Sequence, residues 1–92
     1  MRWWLEKDEE WDFSKIISYI KDFDTVHVGC DSKYYSSATR FAIAIAVYRN
    51  PCVTYWYTKH KDPHMTREIP HRLWTEVEKA MEVARMIREK LP

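Results

Sequence analysis

Apolar residues along this chain change their period twice, and the changes mark its elements. Between 13 and 20, Phe13, Ile16, Ile17 and Ile20 recur at the three- and four-residue spacing of a helix face. Asp12 stands just ahead, where a carboxylate accepts from the free amides of a first turn. Trp11 and Ile16 fall on the two positions of a hydrophobic staple. A helix over 12–22 is expected, ending at Asp22-Phe23-Asp24.

The period then drops to two. Thr25–Asp31 sets Val26, Val28 and Cys30 against His27, Gly29 and Asp31. Thr39–Arg49 sets Phe41, Ile43, Ile45 and Val47 against Ala42, Ala44 and Ala46. Both sets are apolar, so this strand is expected to be covered on both sides. Asn50-Pro51 reads as a tight turn. Cys52–Lys59, rich in β-branched and aromatic residues, returns as a third strand.

A helical period resumes in a long helix that starts between 66 and 71, with Pro70 confined to its first turn. Leu73, Val77, Ala80, Met81, Ala84 and Ile87 are its expected buried stripe, with Trp74 beside it. Arg85, Arg88 and Lys90 sit where cations complement the helix dipole. The expected fold is α+β: a short N-terminal helix, a three-stranded antiparallel meander and a long C-terminal helix, in one domain spanning 1–92.

Composition adds bulk to this outline. A domain of 92 residues has a small core. Five Trp, six Tyr and three Phe supply large apolar area, more than so small an interior can hold. Some aromatics should therefore form an exposed patch, and a homodimer is the natural expectation. Net charge is +1, from 15 basic and 14 acidic residues, so the total favours neither nucleic acid nor membrane. Its distribution says more. Residues 6–12 are acidic, whereas 59–72 hold four Lys/Arg and three His against two acids, a segment that suits phosphate.

Cys30 and Cys52 have no zinc spacing and read as buried, reduced thiols of a cytoplasmic protein. The N-terminus lacks the apolar core of a signal peptide, and FAIAIAV is too short to span a bilayer, so no membrane partner is expected. A single glycine rules out dinucleotide and P-loop motifs, and with them a nucleotide cofactor.

Two carboxylates are candidates for chemistry. Asp31 ends the first strand, two residues after Gly29 on the same face, where a missing side chain lets a metal, a helix or a substrate approach. Its structural alternative is a cap on the following turn. Glu76 lies beside the apolar stripe of the last helix, and its alternative is an i,i+4 pair with Arg72. His60, His64 and His71 share a segment, but Pro63 prevents a regular helix through it and no cysteine or carboxylate completes a zinc spacing.

These pieces resemble a known family. Gly29-Cys30-Asp31-Ser32 at the end of a strand, two antiparallel strands after it, and Arg72-Leu73-Trp74-Thr75-Glu76 on a helix are similar to the G-T-D-S and R-[LI]-x-x-E motifs of YkuK-like proteins in the ribonuclease H-like superfamily. The resemblance implies a reduced ribonuclease H-like fold and a divalent-metal-dependent nuclease. Asp31 and Glu76 would hold Mg²⁺ or Mn²⁺, since hard cations take oxygen ligands and two-metal hydrolysis needs clustered carboxylates. Lys33, Lys59, Lys61, Arg67 and Arg72 would meet the phosphates of a nucleic acid. The family's later strand, which brings more acidic ligands, has no counterpart here, so the chain reads as truncated after the first core helix. That leaves two further expectations. One is a non-catalytic module binding nucleic acid or protein. The other is an open edge on the strand Thr25–Asp31 that invites a second copy or is covered by a helix.

Overall fold

The computed structural model describes residues 2–5, 9–35, 38–62 and 69–91. In chain order these form β1 (Trp3–Leu5), β2 (Glu9–Trp11), α1 (Phe13–Tyr19), β3 (Thr25–Tyr35), β4 (Ala38–Arg49), β5 (Cys52–Asp62) and α2 (Ile69–Lys90). All strands join one antiparallel sheet in the order β2-β1-β5-β4-β3. The α+β class stands, but the three-stranded meander is corrected to a five-stranded sheet. The two extra strands come from the N-terminal segment, which charge alone marked as acidic. Each is three residues long, too short to display a period. Their identity comes from pairing: Trp3 opposes Trp11, and Trp4 and Leu5 oppose Tyr57 and Trp56 of β5.

One face of the sheet carries the core. Ile43, Ile45 and Val47 of β4, Trp56 of β5 and Trp3 of β1 are buried there with Ile16, Ile20, Val83 and Ile87. The short helix α1 begins as expected, Asp12 Oδ1 accepting from the Lys15 amide at 2.8 Å. It covers the β1–β5 side through rings. Phe13 lies 6.4 Å from Trp3, and Tyr19 lies 5.2 Å from Trp56 and 6.1 Å from Trp11. Tyr19 also shares a 3.0 Å hydrogen bond with Thr54. The end of this layer is tied by Arg49, whose guanidinium grips both Asp24 oxygens at 2.7 and 2.8 Å and donates to the Tyr19 carbonyl at 2.8 Å. That pair holds the Asp24 carboxyl at about 2, below its ordinary 3.8.

The helix α2 packs chiefly along β3, and it does so with an unexpected flank. Val83 and Ile87 are buried and Ala80 half-buried, whereas Leu73, Val77, Met81 and Ala84 are exposed. The apolar arc of α2 thus holds two stripes, centred roughly 100° apart at ~100° per residue. Periodicity picks out the more apolar one. The sheet takes the other, where the small Ala80 and the polar Glu76 and Lys79 meet β3 and β4. The Lys79 ammonium sits 4.9 Å above the Phe41 ring there.

Two further expectations change. The strand β4 is covered on one side only: Ala42 is exposed and Ala44 and Ala46 are half-buried. In addition, Asp31 does not end its strand, because β3 runs on to Tyr35 against β4. Among the described residues the expected open edge is present, β3 being the last strand of the sheet.

Candidate functional site

The register of β3 decides where the two motif carboxylates stand. Strand side chains alternate between faces. Val26, Val28, Cys30 and Ser32 face α2, while His27, Gly29, Asp31 and Lys33 face away and are exposed. Glu76 reaches down from α2 to the covered side, where Ser32 Oγ donates to its Oε2. The two sequence motifs therefore meet, but through Ser32. Asp31 lies on the other face, exposed, with Oδ1 accepting from the Ser32 amide at 3.0 Å. Among the described residues, no group of three or more His, Cys, Asp or Glu gathers into a metal-ligating cluster. These residues do not offer a divalent ion a multidentate oxygen shell.

Cys30 sits between the two carboxylates, and its thiol is pushed up to about 11, first by burial, then by the Glu76 charge and, more weakly, by Asp31. It stays protonated at neutral pH and is no nucleophile. Cys52, expected to be buried, is exposed; both cysteines are free.

The open face of the sheet gathers the other candidates. Directly opposed residues share a face, so the pairings lay out rows across β3, β4 and β5. Lys33, Arg40 and Lys61 form one row, and all three are exposed. Asp31, Ala42 and Lys59 form the next. Gly29, Ala44 and Tyr57 follow, extended by Trp4 and Glu10 on β1 and β2. Then come His27, Ala46 and Tyr55, and finally Thr25, Tyr48 and Val53. Four cations thus cluster at one end of an open sheet face. Asp31 stands among them in the Lys59 row, and Arg40 has an interaction of its own, so the cluster is cationic but partly compensated. Among the described residues, no neighbour lies within 4 Å of where a Gly29 side chain would begin.

Of the predicted contacts, Lys33, Lys59 and Lys61 come together on this face. Arg72 does not join them; it lies on α2 on the other side of the sheet, and its Nε is buried without a hydrogen-bond partner among the described residues. Arg67 and His64 lie outside the described residues. His71 is exposed on α2, and His60 occupies the parity of Phe41 rather than that of the lysines. Arg40, Trp4, Tyr55 and Tyr57 are the functional candidates that sequence reasoning missed. Their signal was present for Arg40, which shares the parity of the β4 alanines. For the aromatics it needed the strand pairing.

The ribonuclease H-like family matches residues 13–92, and the chain belongs to it. Neither a curated protein nor a solved structure gives a match. The segment outside the match carries β1 and β2, the strands that extend the sheet beyond β5. No helix among the described residues is long and apolar enough to cross a membrane.

Proposed function

We propose that residues 1–92 form one domain that binds nucleic acid without cleaving it, a ribonuclease H-like fold used as a binding module in the cytoplasm. The observation that carries this reading is the cross-strand row Lys33–Arg40–Lys61 with Lys59 beside it, on a face that no helix among the described residues covers. The narrower YkuK-like kinship is supported by the contact between its two motifs, Ser32 to Glu76. In this reading that contact fastens α2 to β3, which is work for the motif glutamate other than holding Mg²⁺ or Mn²⁺. Asp31, exposed in the row of Lys59 and one row from Lys33, Arg40 and Lys61, places a negative charge within the phosphate path.

Fluorescence anisotropy with labelled oligonucleotides tests this. Binding should weaken as salt rises, with a log–log slope of about −2 to −3 for three or four phosphates. Replacing Lys33 and Lys61 by Gln should flatten that slope, and Asp31→Asn should tighten binding by removing a like charge. The nuclease reading makes the opposite demand of the same variant. Mn²⁺-dependent cleavage lost in both Asp31→Asn and Glu76→Gln would replace the present proposal.

The partner we propose beyond nucleic acid is a second copy. Among the described residues, the outer edge of the 11-residue β3 has no strand partner, and the stripe Leu73, Trp74, Val77, Met81 lies exposed on the helix packed beside it. Along that flank Glu78 and Glu82 precede Arg85 and Arg88, so an antiparallel, two-fold pairing of α2 with its copy sets acids against bases. Sedimentation equilibrium should show a dimer at micromolar concentration, and Val77→Glu with Met81→Glu should return it to a monomer. A monomer throughout for the unaltered chain would remove this part of the proposal.

A further inference from the structure

The cations explain attraction to phosphate, but they leave the rest of the open face unaccounted for. Beyond the Lys59 row the same face changes character. Its floor is made of Gly29, Ala42, Ala44 and Ala46, which rise little above the backbone. Its β5 side is lined by Tyr57 and Tyr55, with Trp4 directly opposite Tyr57 on β1. Tyr55 is 46% exposed, and Tyr57 and Trp4 are half-exposed. On the β3 side, His27 and Tyr48 stand edge to face with centroids 4.9 Å apart. Aromatic rings that a protein leaves on an open sheet, above small residues, keep their faces available to another π-system.

From this geometry we infer that the open face takes a single-stranded nucleic acid. Its backbone meets Lys33, Arg40, Lys59 and Lys61, and its bases stack on Tyr57, Tyr55 and Trp4. The inference rests on the nucleic-acid reading above and names the form of the ligand. Three features favour a single strand over a duplex. The rings lie within the same sheet face as the cations, so bases and phosphates must be reached from one side, which a duplex with its bases turned inward does not allow. Successive rings on one strand face stand ~6.6 Å apart, two residues at ~3.3 Å each, so each ring can meet its own base once the bases are splayed. Finally, the Lys59 ammonium lies 5.9 Å from the centre of the Tyr57 ring, which places the charge for a phosphate next to the ring for its base. Stacking reads no base edges, so binding should be tolerant of sequence.

The test compares oligomers of about 12 nucleotides, within the length such sites span, as single-stranded RNA, single-stranded DNA and the matching duplex. The single strands should bind at least about tenfold tighter than the duplex, and should quench tryptophan emission. Tyr57→Ala and Tyr55→Ala should each weaken single-strand binding about tenfold, as loss of one stacked base does. Tyr57→Phe and Tyr55→Phe, which keep the ring, should restore it and guard against a folding defect. Ring-dependent binding of either strand supports the inference, and the RNA and DNA arms tell which sugar the site takes. A duplex bound as tightly as the single strands, or alanine variants that bind normally, would overturn it while lysine-dependent binding leaves the broader proposal standing. No binding of any form at low salt would end both.

Discussion

Trp56 and Tyr57 are neighbours in the chain and differ little in size, yet they live in different solvents. Trp56 points to the covered face, is fully buried, and packs at 5.2 Å from both Trp11 and Tyr19. Tyr57 points to the open face beside Ala44 and Trp4. The strand β4 repeats the contrast with large and small apolar residues. Its large residues Phe41, Ile43, Ile45 and Val47 are buried, and its alanines line the open floor. Burial follows the helices: α1 and α2 occupy one face, and the other keeps aromatic and cationic side chains in contact with water. One sheet therefore has a packed face that carries stability and an open face that, in the function proposed above, carries recognition.

The sharpest break of this comparison is a pair of truncations. Trp56→Ala should cost roughly 3–5 kcal/mol in urea denaturation, because it empties the centre of the aromatic layer. That is a large share of a small domain's stability. Tyr57→Ala should cost under about 1 kcal/mol, since its site opens to solvent, while its effect on oligonucleotide binding is the larger. Equal stability losses would mean that something covers the open face.

A smaller effect probes the tie that closes the covered layer. Asp24 is held at about 2 against an ordinary 3.8, chiefly by its hydrogen bond from Arg49. A depressed carboxyl adds stability that is fully present above 3.8 and fades as pH falls toward 2. Tryptophan fluorescence of the folded chain should therefore show acid destabilisation through that window, and Asp24→Asn should flatten it. An unchanged acid transition in the variant would assign it to other carboxylates.

Much of this molecule is legible in its sequence, and the failures have physical causes. The Asp12 cap, the alternation of β3 and β4 and the turn at Asn50-Pro51 are local, and each appears where pattern puts it. The strands β1 and β2 are too short for a period and exist because β5 offers Trp56 and Tyr57 as partners. The flank of α2 was misjudged because apolarity alone ranks Leu73, Val77 and Met81 above the stripe that includes Glu76 and Lys79. Close approach to β3, a hydrogen bond to Ser32 and an ammonium over Phe41 tip the helix the other way. At the site, three of the five nucleic-acid candidates, Lys33, Lys59 and Lys61, converge; the two-residue spacing of Lys59 and Lys61 puts them on one face of a strand, but that Lys33 joins them needed the strand register.

Local chemistry is enough to say that 25–31, 39–49 and 52–59 alternate, whereas the continuation of β3 through Ser32, which sets Asp31 and Ser32 on opposite sides, comes from its pairing with β4. Nor does local chemistry say which side the helices take. That choice is made by long-range packing: Trp3, Trp56 and the β4 residues Ile43, Ile45 and Val47 are buried on one face, while the other pairs the β4 alanines with Tyr55, Tyr57 and Trp4. With it comes the fate of the motif residues: Ser32 and Glu76 are drawn together beneath α2, and Asp31 is left in the open among the lysines.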